Sequence, residues 1–166
     1  MQRNYKYLFG LIPGLIVLIS NYLGGWWVVS NTLFSFVFLA LLEKLFPENK
    51  NNVNEENKSF PDAVLYLNVI LQLLCMYSVV YTLQRYDYSY FQLFFLSLSV
   101  GINTGSSAIV VAHELIHRKN NLNQFSGKLL LLSAGNIYFF VDHLRIHHKW
   151  VGTQKDHATA RYGENI

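Results

Sequence analysis

Four stretches of this chain contain no charged residue at all: residues 7–25, 26–42, 64–83 and 90–112. Crossing the hydrocarbon core of a bilayer as a helix takes about 20 apolar residues, and each run is near that length. Inside lipid every backbone N–H and C=O has to be satisfied by the segment itself or by a closed barrel. Runs this long and this continuously apolar do not alternate like barrel strands. The expected fold is therefore all-α: an integral membrane bundle of four transmembrane helices. The composition agrees, with 52% hydrophobic and 14% charged residues, where soluble domains carry roughly a quarter charged.

The first run follows a short basic start, Arg3 and Lys6. No small-x-small cleavage site precedes the next apolar run, so it reads as a retained anchor rather than a signal peptide. Pro13 and Gly14 within it are tolerable where neighbouring helices pack around them. Asn21 to Gly25 forms the turn into the second run, with Trp26 and Trp27 at the level where aromatic belts lie. Residues 43–62 are rich in Asn, Glu and Lys and read as a solvated connector without fixed structure. The Ser, Gly, Asn and Thr content from Ser97 to Ser107 suits a fourth helix packed against other helices rather than facing lipid. Cys75, the one cysteine, has no partner for a disulfide and reads as a small apolar filler. No basic patch interleaved with aromatics occurs outside the apolar runs, so nucleic acid is not an expected partner.

Charge placement sets the topology. With the amino terminus, the 43–62 connector and everything after Ala112 on one side, that side holds every Lys and Arg except Arg85. The positive-inside rule makes it the cytoplasmic side of the membrane. Residues 129–141 are apolar but number only 13. As a helix they rise roughly 20 Å, short of a core of roughly 30 Å. A short re-entrant or interfacial segment is expected here, returning the chain to the side it left. The 166 residues read as a single membrane domain, with 113–166 as a cytoplasmic-side histidine region.

All six histidines lie in that region. His113 and His117 are four apart, as are His143 and His147, with His148 beside them. Residues four apart on a helix share a face, so these five imidazoles are candidate ligands for a transition metal. His113-Glu114-x-x-His117 alone also fits a zinc protease, two ligands with the glutamate as general base. A second, richer motif supplies more imidazoles than one tetrahedral zinc uses, which argues for two metals. Glu114 and Asp142 each adjoin a candidate ligand and are expected to orient imidazoles through the other ring nitrogen. His157 sits in a polar loop and reads as a surface or supporting residue. Arg118, Lys119, Arg145 and Lys149 read as the positive flank, or as a docking face for an acidic electron donor. No catalytic residue is assigned beyond the ligands.

The two motifs resemble the histidine boxes of the membrane-bound alkane 1-monooxygenases (alkane hydroxylases), within the wider fatty acid desaturase and hydroxylase group. Their first box, His-Glu-Leu-Gly-His-Lys, corresponds to His113-Glu114-Leu115-Ile116-His117-Arg118. Their second, Glu-His-x-x-x-His-His, corresponds to residues 142–148, with Asp142 in place of the glutamate. The tail Thr-Pro-Glu-Asp-Pro-Ala-Ser-Ala-Arg-x-Gly-Glu is matched by Thr153, Asp156, Ala158, Ala160, Arg161, Gly163 and Glu164, while Gln154, Lys155 and His157 depart from it.

The resemblance implies a non-haem enzyme with two iron ions held by His113, His117, His143, His147 and His148. It implies O2 as co-substrate, a medium-chain alkane hydroxylated at its terminal C–H bond, and electrons from rubredoxin and rubredoxin reductase. An oligomer is compatible with it. Family members carry a third box, His-x-x-His-His, which is absent from these 166 residues, so an incomplete amino-terminal part of a longer catalytic domain is expected. The other readings are a related hydroxylase or desaturase acting on acyl or aromatic methyl substrates, a membrane zinc protease, and a non-enzymatic membrane subunit.

Overall fold

The computed structural model describes residues 4–45 and 59–164. Four helices are long and apolar enough to cross a membrane: α1 (Tyr5–Leu23), α2 (Gly25–Leu45), α3 (Ser59–Arg85) and α4 (Tyr90–Ile116). Two shorter helices follow, α5 (Asn121–Ser133) and α6 (residues 139–150). Among the described residues there is no strand.

The ends of the expected 43–62 connector are helical instead. α2 continues through Glu43 and Lys44 to Leu45, and α3 begins at Ser59 with Pro61 and Asp62 in its first turn. Proline is compatible with a first helical turn, whose N–H groups have no partner within the helix. The rest of that connector lies outside the described residues.

Polar side chains inside the four runs point inward, toward one another. Asn21 Nδ2 donates to Ser78 Oγ at 2.9 Å, joining α1 to α3. Asn31 Nδ2 donates to the Ser99 carbonyl at 2.8 Å, joining α2 to α4. Gln72 on α3 accepts from Asn103 Nδ2 at 2.9 Å and donates to Thr104 Oγ1 at 3.1 Å and to Ser133 Oγ at 3.3 Å. Leu15, Ile19, Phe36, Ile70, Tyr77, Phe91 and Phe94 face outward and are exposed. Among the described residues, only Asn31 Oδ1 and Asn103 Oδ1 are buried side-chain atoms left unpaired. Apolar surface outside and hydrogen-bonded polar side chains inside is the arrangement lipid selects, where hydrogen bonds and close packing rather than hydrophobic burial hold helices together. Gly14 permits such an approach: a Cβ there would lie 2.7 Å from Leu71 Cδ2.

The turns are set by local chemistry. α1 stops at Gly24, whose φ of 69° is left-handed and whose missing Cβ leaves room for the Tyr86 ring. Ser89 and Gln92 form a capping box at the start of α4, with the Ser89 N–H donating to Gln92 Oε1 at 2.9 Å. Asn120 caps α5 by accepting from the Leu122 N–H at 2.8 Å.

The expected apolar segment 129–141 is not one continuous helix. Its first five residues finish α5, the chain breaks through Gly135 (φ 69°), and its last three open α6. The reversal is thus a helical hairpin that packs on the end of α4. Gly127 lies so close to α4 that a Cβ would sit 2.7 Å from Ile116 Cγ2 and 3.0 Å from the Ala112 carbonyl oxygen. Lys128 holds its ammonium 4.0 Å from the Phe140 ring centroid, tying α5 to α6. Val69, Ala108, Ala112, Leu115, Ile116, Leu130 and Leu131 form the core beneath this hairpin, with Phe139 and Leu144 packed on it.

Candidate metal centre

α4 has 27 residues, a rise of roughly 40 Å against a hydrocarbon core of roughly 30 Å. The surplus turns carry His113, and His117 follows at the helix end. Both imidazoles lie on the face of α4 that α6 covers. His143 Nε2 lies 2.7 Å from His113 Nε2, 3.1 Å from His117 Nε2 and 3.0 Å from His148 Nε2. His117 and His113 are 3.3 Å apart at Nε2. The potential ligand nitrogens of His113, His117, His143 and His148 all fall within 4.8 Å of one another.

A neutral imidazole has one N–H and one lone pair. Four Nε2 atoms that face each other cannot satisfy one another by hydrogen bonds, because His143 Nε2 meets three neighbours and holds at most one hydrogen. A shared cation resolves the conflict. With metal–nitrogen distances of about 2.1 Å, the observed spread needs only small ring movements. His143 is poised for this: burial first, then the imidazoles of His113, His148, His117 and His147, push its pKa down to about 4. It is therefore a neutral ligand at physiological pH.

α6 reaches this geometry by departing from regular winding. Residues Asp142–His147 are π-wound, with i→i+5 closure. Both later box histidines stay beside His143, with ring centroids 5.4 Å away for His147 and 4.5 Å for His148, and it is His148 that brings its Nε2 to the cluster. The His147 ring stacks on His143, but its nitrogens lie outside the four-nitrogen group. Its Nδ1 lies 2.9 Å from Asp156 Oδ2. Phe139 stacks on His143 with ring centroids 4.7 Å apart and planes 12° apart, fixing the ring from the core side.

Glu114 is turned away from the imidazoles. Its Oε1 accepts from Arg118 Nε at 3.2 Å and Nη2 at 3.1 Å, and Arg118 Nη2 also reaches Asp62 Oδ1 at 2.8 Å. Asp142 makes no side-chain hydrogen bond to an imidazole among the described residues. The carboxylate that does is Asp156, which the sequence reading left without a role. Its Oδ2 also accepts from Thr159 Oγ1, and its Oδ1 accepts from the Ala158 N–H at 3.1 Å. The Thr159 bond, then the Ala158 N–H and His147, hold its carboxyl below the usual range despite burial. Asp followed three residues later by Thr, at a turn, is the local signal that carried this contact. His157 is exposed and outside the cluster.

No family model matches the chain. Individual relatives do. An alkane 1-monooxygenase of Pseudomonas putida is 33% identical over 134 residues, covering 77% of this chain and 33% of that protein. Alkane 1-monooxygenase 1 of Pseudomonas aeruginosa is 44% identical over 69 residues, covering 42% of this chain and 18% of that protein. The hydroxylase component of a Pseudomonas putida xylene/toluene monooxygenase is 27% identical over 152 residues, covering 90% and 41%. The chain thus spans between a third and a little over two fifths of the length of the curated alkane 1-monooxygenases that match most of it. Apolar spanning helices, paired histidine boxes that meet, and these relatives converge on one conclusion: over the part it spans, the chain is an integral membrane protein belonging to the alkane 1-monooxygenase family.

Proposed function

We propose that this chain forms part of a non-haem di-iron monooxygenase that hydroxylates the terminal C–H bond of an alkane. The convergence of His113, His117, His143 and His148 at one end of an apolar bundle carries the reading. These residues and His147 would hold the iron. An all-imidazole set with a separately supported fifth histidine favours two ions over one. The chemistry such a centre supplies is O2 activation with two electrons and two protons, one oxygen atom entering the C–H bond and the other leaving as water.

The protein's own contributions are more specific. Phe139, Leu144 and the core below α6 keep the inner side of the imidazole cluster apolar. The helices offer a lipid-soluble substrate a route that never requires it to enter water. Electrons would come from rubredoxin, itself reduced by rubredoxin reductase. The exposed cations Lys119, Arg145 and Lys149 beside the cluster suit an acidic donor. The same positive excess supports placing the cluster on the cytoplasmic side of the inner membrane.

A zinc protease is disfavoured by Glu114, whose carboxylate is held by Arg118 instead of facing the imidazoles. Similarity to the xylene/toluene monooxygenase component supports a second reading, with an aromatic methyl group as substrate. The test is direct. Membranes carrying the full-length protein, with rubredoxin, its reductase and NADH, are given octane or toluene under 18O2. Octan-1-ol carrying one labelled oxygen is the expected product. Labelled benzyl alcohol alone would transfer the reading to aromatic methyl groups, and zinc with no hydroxylated product would overturn it.

A further inference from the structure

We infer that Asp156 is a positioning residue for His147, and that its function is to keep the His147 Nε2 lone pair free for metal. The inference rests on the proposed metal centre but goes beyond its ligand set. Asp156 Oδ2 lies 2.9 Å from His147 Nδ1. A carboxylate only accepts, so Nδ1 carries the hydrogen and Nε2 is left with its lone pair. The carboxylate is itself fixed from two sides, by Thr159 Oγ1 on Oδ2 and the Ala158 N–H at 3.1 Å on Oδ1. Its side chain is only 1% exposed, against 29% for His147. A buried carboxylate this constrained does not swing to meet a mobile ring; the ring is held by the carboxylate. The tail backs the clamp, with Thr159 Oγ1 also accepting from the Gly152 N–H at 3.0 Å. The other five histidines lack such a partner among the described residues, and His147 is the one member of the two boxes outside the four-nitrogen group. His147 is therefore orientated by the carboxylate in addition to its ring contacts, a stack on His143 at 5.4 Å and an edge contact with His148 at 5.9 Å between centroids.

The probe is Fe(II) binding to the full-length protein in nanodiscs, with Co(II) as a spectroscopic substitute. Asp156→Asn and His147→Ala are each expected to weaken the affected site 10- to 100-fold, with the melting temperature of the metal-free protein little changed. The double variant is expected to lose no more than His147→Ala alone, because the carboxylate acts through that ring. Thr159→Ala, which leaves the carboxylate in place but less constrained, is expected to show a smaller loss and a broadened Co(II) d–d band. Additive losses, or Asp156→Asn binding both metals like the wild type, would overturn the inference. His113→Ala and His143→Ala separate the two levels: if these also bind normally, the metal centre itself fails. If they lose metal while Asp156→Asn does not, only the positioning role fails.

Discussion

His143 and His148 meet at 3.0 Å between Nε2 atoms although they are five residues apart on one helix. In regular α winding a five-residue separation turns side chains about 140° apart. The π-wound Asp142–His147 segment reduces that offset. His147 stays stacked on His143 while its Nδ1 meets Asp156, so the same stretch places two imidazoles. Winding of this kind is less stable than an α-helix and persists where packing or function holds it. The stack of Phe139 on His143 supplies part of that hold.

Acid is expected to destabilise the metal-free protein through His143. Its folded pKa of about 4 lies below the unfolded value near 6.5. Between those values the unfolded chain binds the proton and the folded one does not, so stability falls as pH falls through the window. The melting temperature of metal-free protein in detergent should drop between pH 6.5 and 4. His143→Asn should flatten that part of the profile. An unchanged slope in the variant would assign the acid sensitivity to another group.

Gly127 is a point of close approach between α5 and α4, and Gly101 is the contrasting case. A Cβ at Gly127 meets Ile116 Cγ2 at 2.7 Å and the Ala112 backbone oxygen at 3.0 Å; one at Gly101 meets nothing within 4 Å. Gly127→Val should therefore cost about 1–3 kcal/mol by overpacking and weaken metal binding, because the hairpin carrying His143 and His148 shifts. Gly101→Ala should be neutral or stabilising by up to about 1 kcal/mol. Thermal stability and Fe(II) affinity, measured on both variants, check the pair.

Much of this was legible before any coordinates. The charge-free runs announce the helices because lipid leaves a chain so few alternatives. The two boxes announce a shared target because every histidine falls within one third of the chain. What escaped depends on details that spacing does not encode. The i, i+4 rule presumes regular winding, so it paired His143 with His147 and took His148 as a ligand only by adjacency, although it is His148 whose Nε2 reaches His143. Adjacency suggested Glu114 and Asp142 as imidazole partners, but Arg118 lies one turn on from Glu114 and takes its carboxylate. Asp156 reaches His147 from a tail that leaves α6 through a turn at Gly152 (φ 78°). The hairpin in residues 129–141 was hidden for the same reason: its break rests on one left-handed glycine, Gly135.

Gln72 ties three helices with one amide. It accepts from Asn103 and donates to Thr104 and Ser133. Gln72→Leu removes these bonds and leaves Asn103 Nδ2 buried without this acceptor. The cost expected for a stranded buried donor is about 1–3 kcal/mol, at the lower end if another group in the bundle takes its place. A reversible unfolding assay in mixed micelles reads it. Gln72→Glu would keep an acceptor for Asn103 but introduce an acid into the bundle, and should be worse than Leu at neutral pH.

Glu114→Gln discriminates between chemistries. A zinc protease of this motif depends on the glutamate as base. Here the carboxylate serves a partly exposed ion pair with Arg118, whose side chain is 25% exposed. Such pairs contribute about 1 kcal/mol or less. The variant is expected to keep its iron content and its melting temperature within a few degrees. Loss of metal on this one substitution would place Glu114 at the ions and revise the picture of its role.

Cys75 makes the membrane topology testable with little background. It is fully buried, its thiol facing the Gly14 carbonyl at 3.2 Å, so a membrane-impermeant maleimide should not reach it in intact cells. Single cysteines introduced at Asp87 and at Gln154 then report opposite ends of the bundle. Asp87 lies in the short turn between α3 and α4, next to Arg85, the one cation of its side. Gln154 is exposed in the tail that follows the histidine boxes. If the positive-inside rule governs this chain, the cysteine at position 87 labels from outside and the one at 154 labels only after permeabilisation. The reverse pattern would put the imidazole cluster on the far side from the cell's reductants, and reduction by a cytoplasmic donor would no longer be tenable.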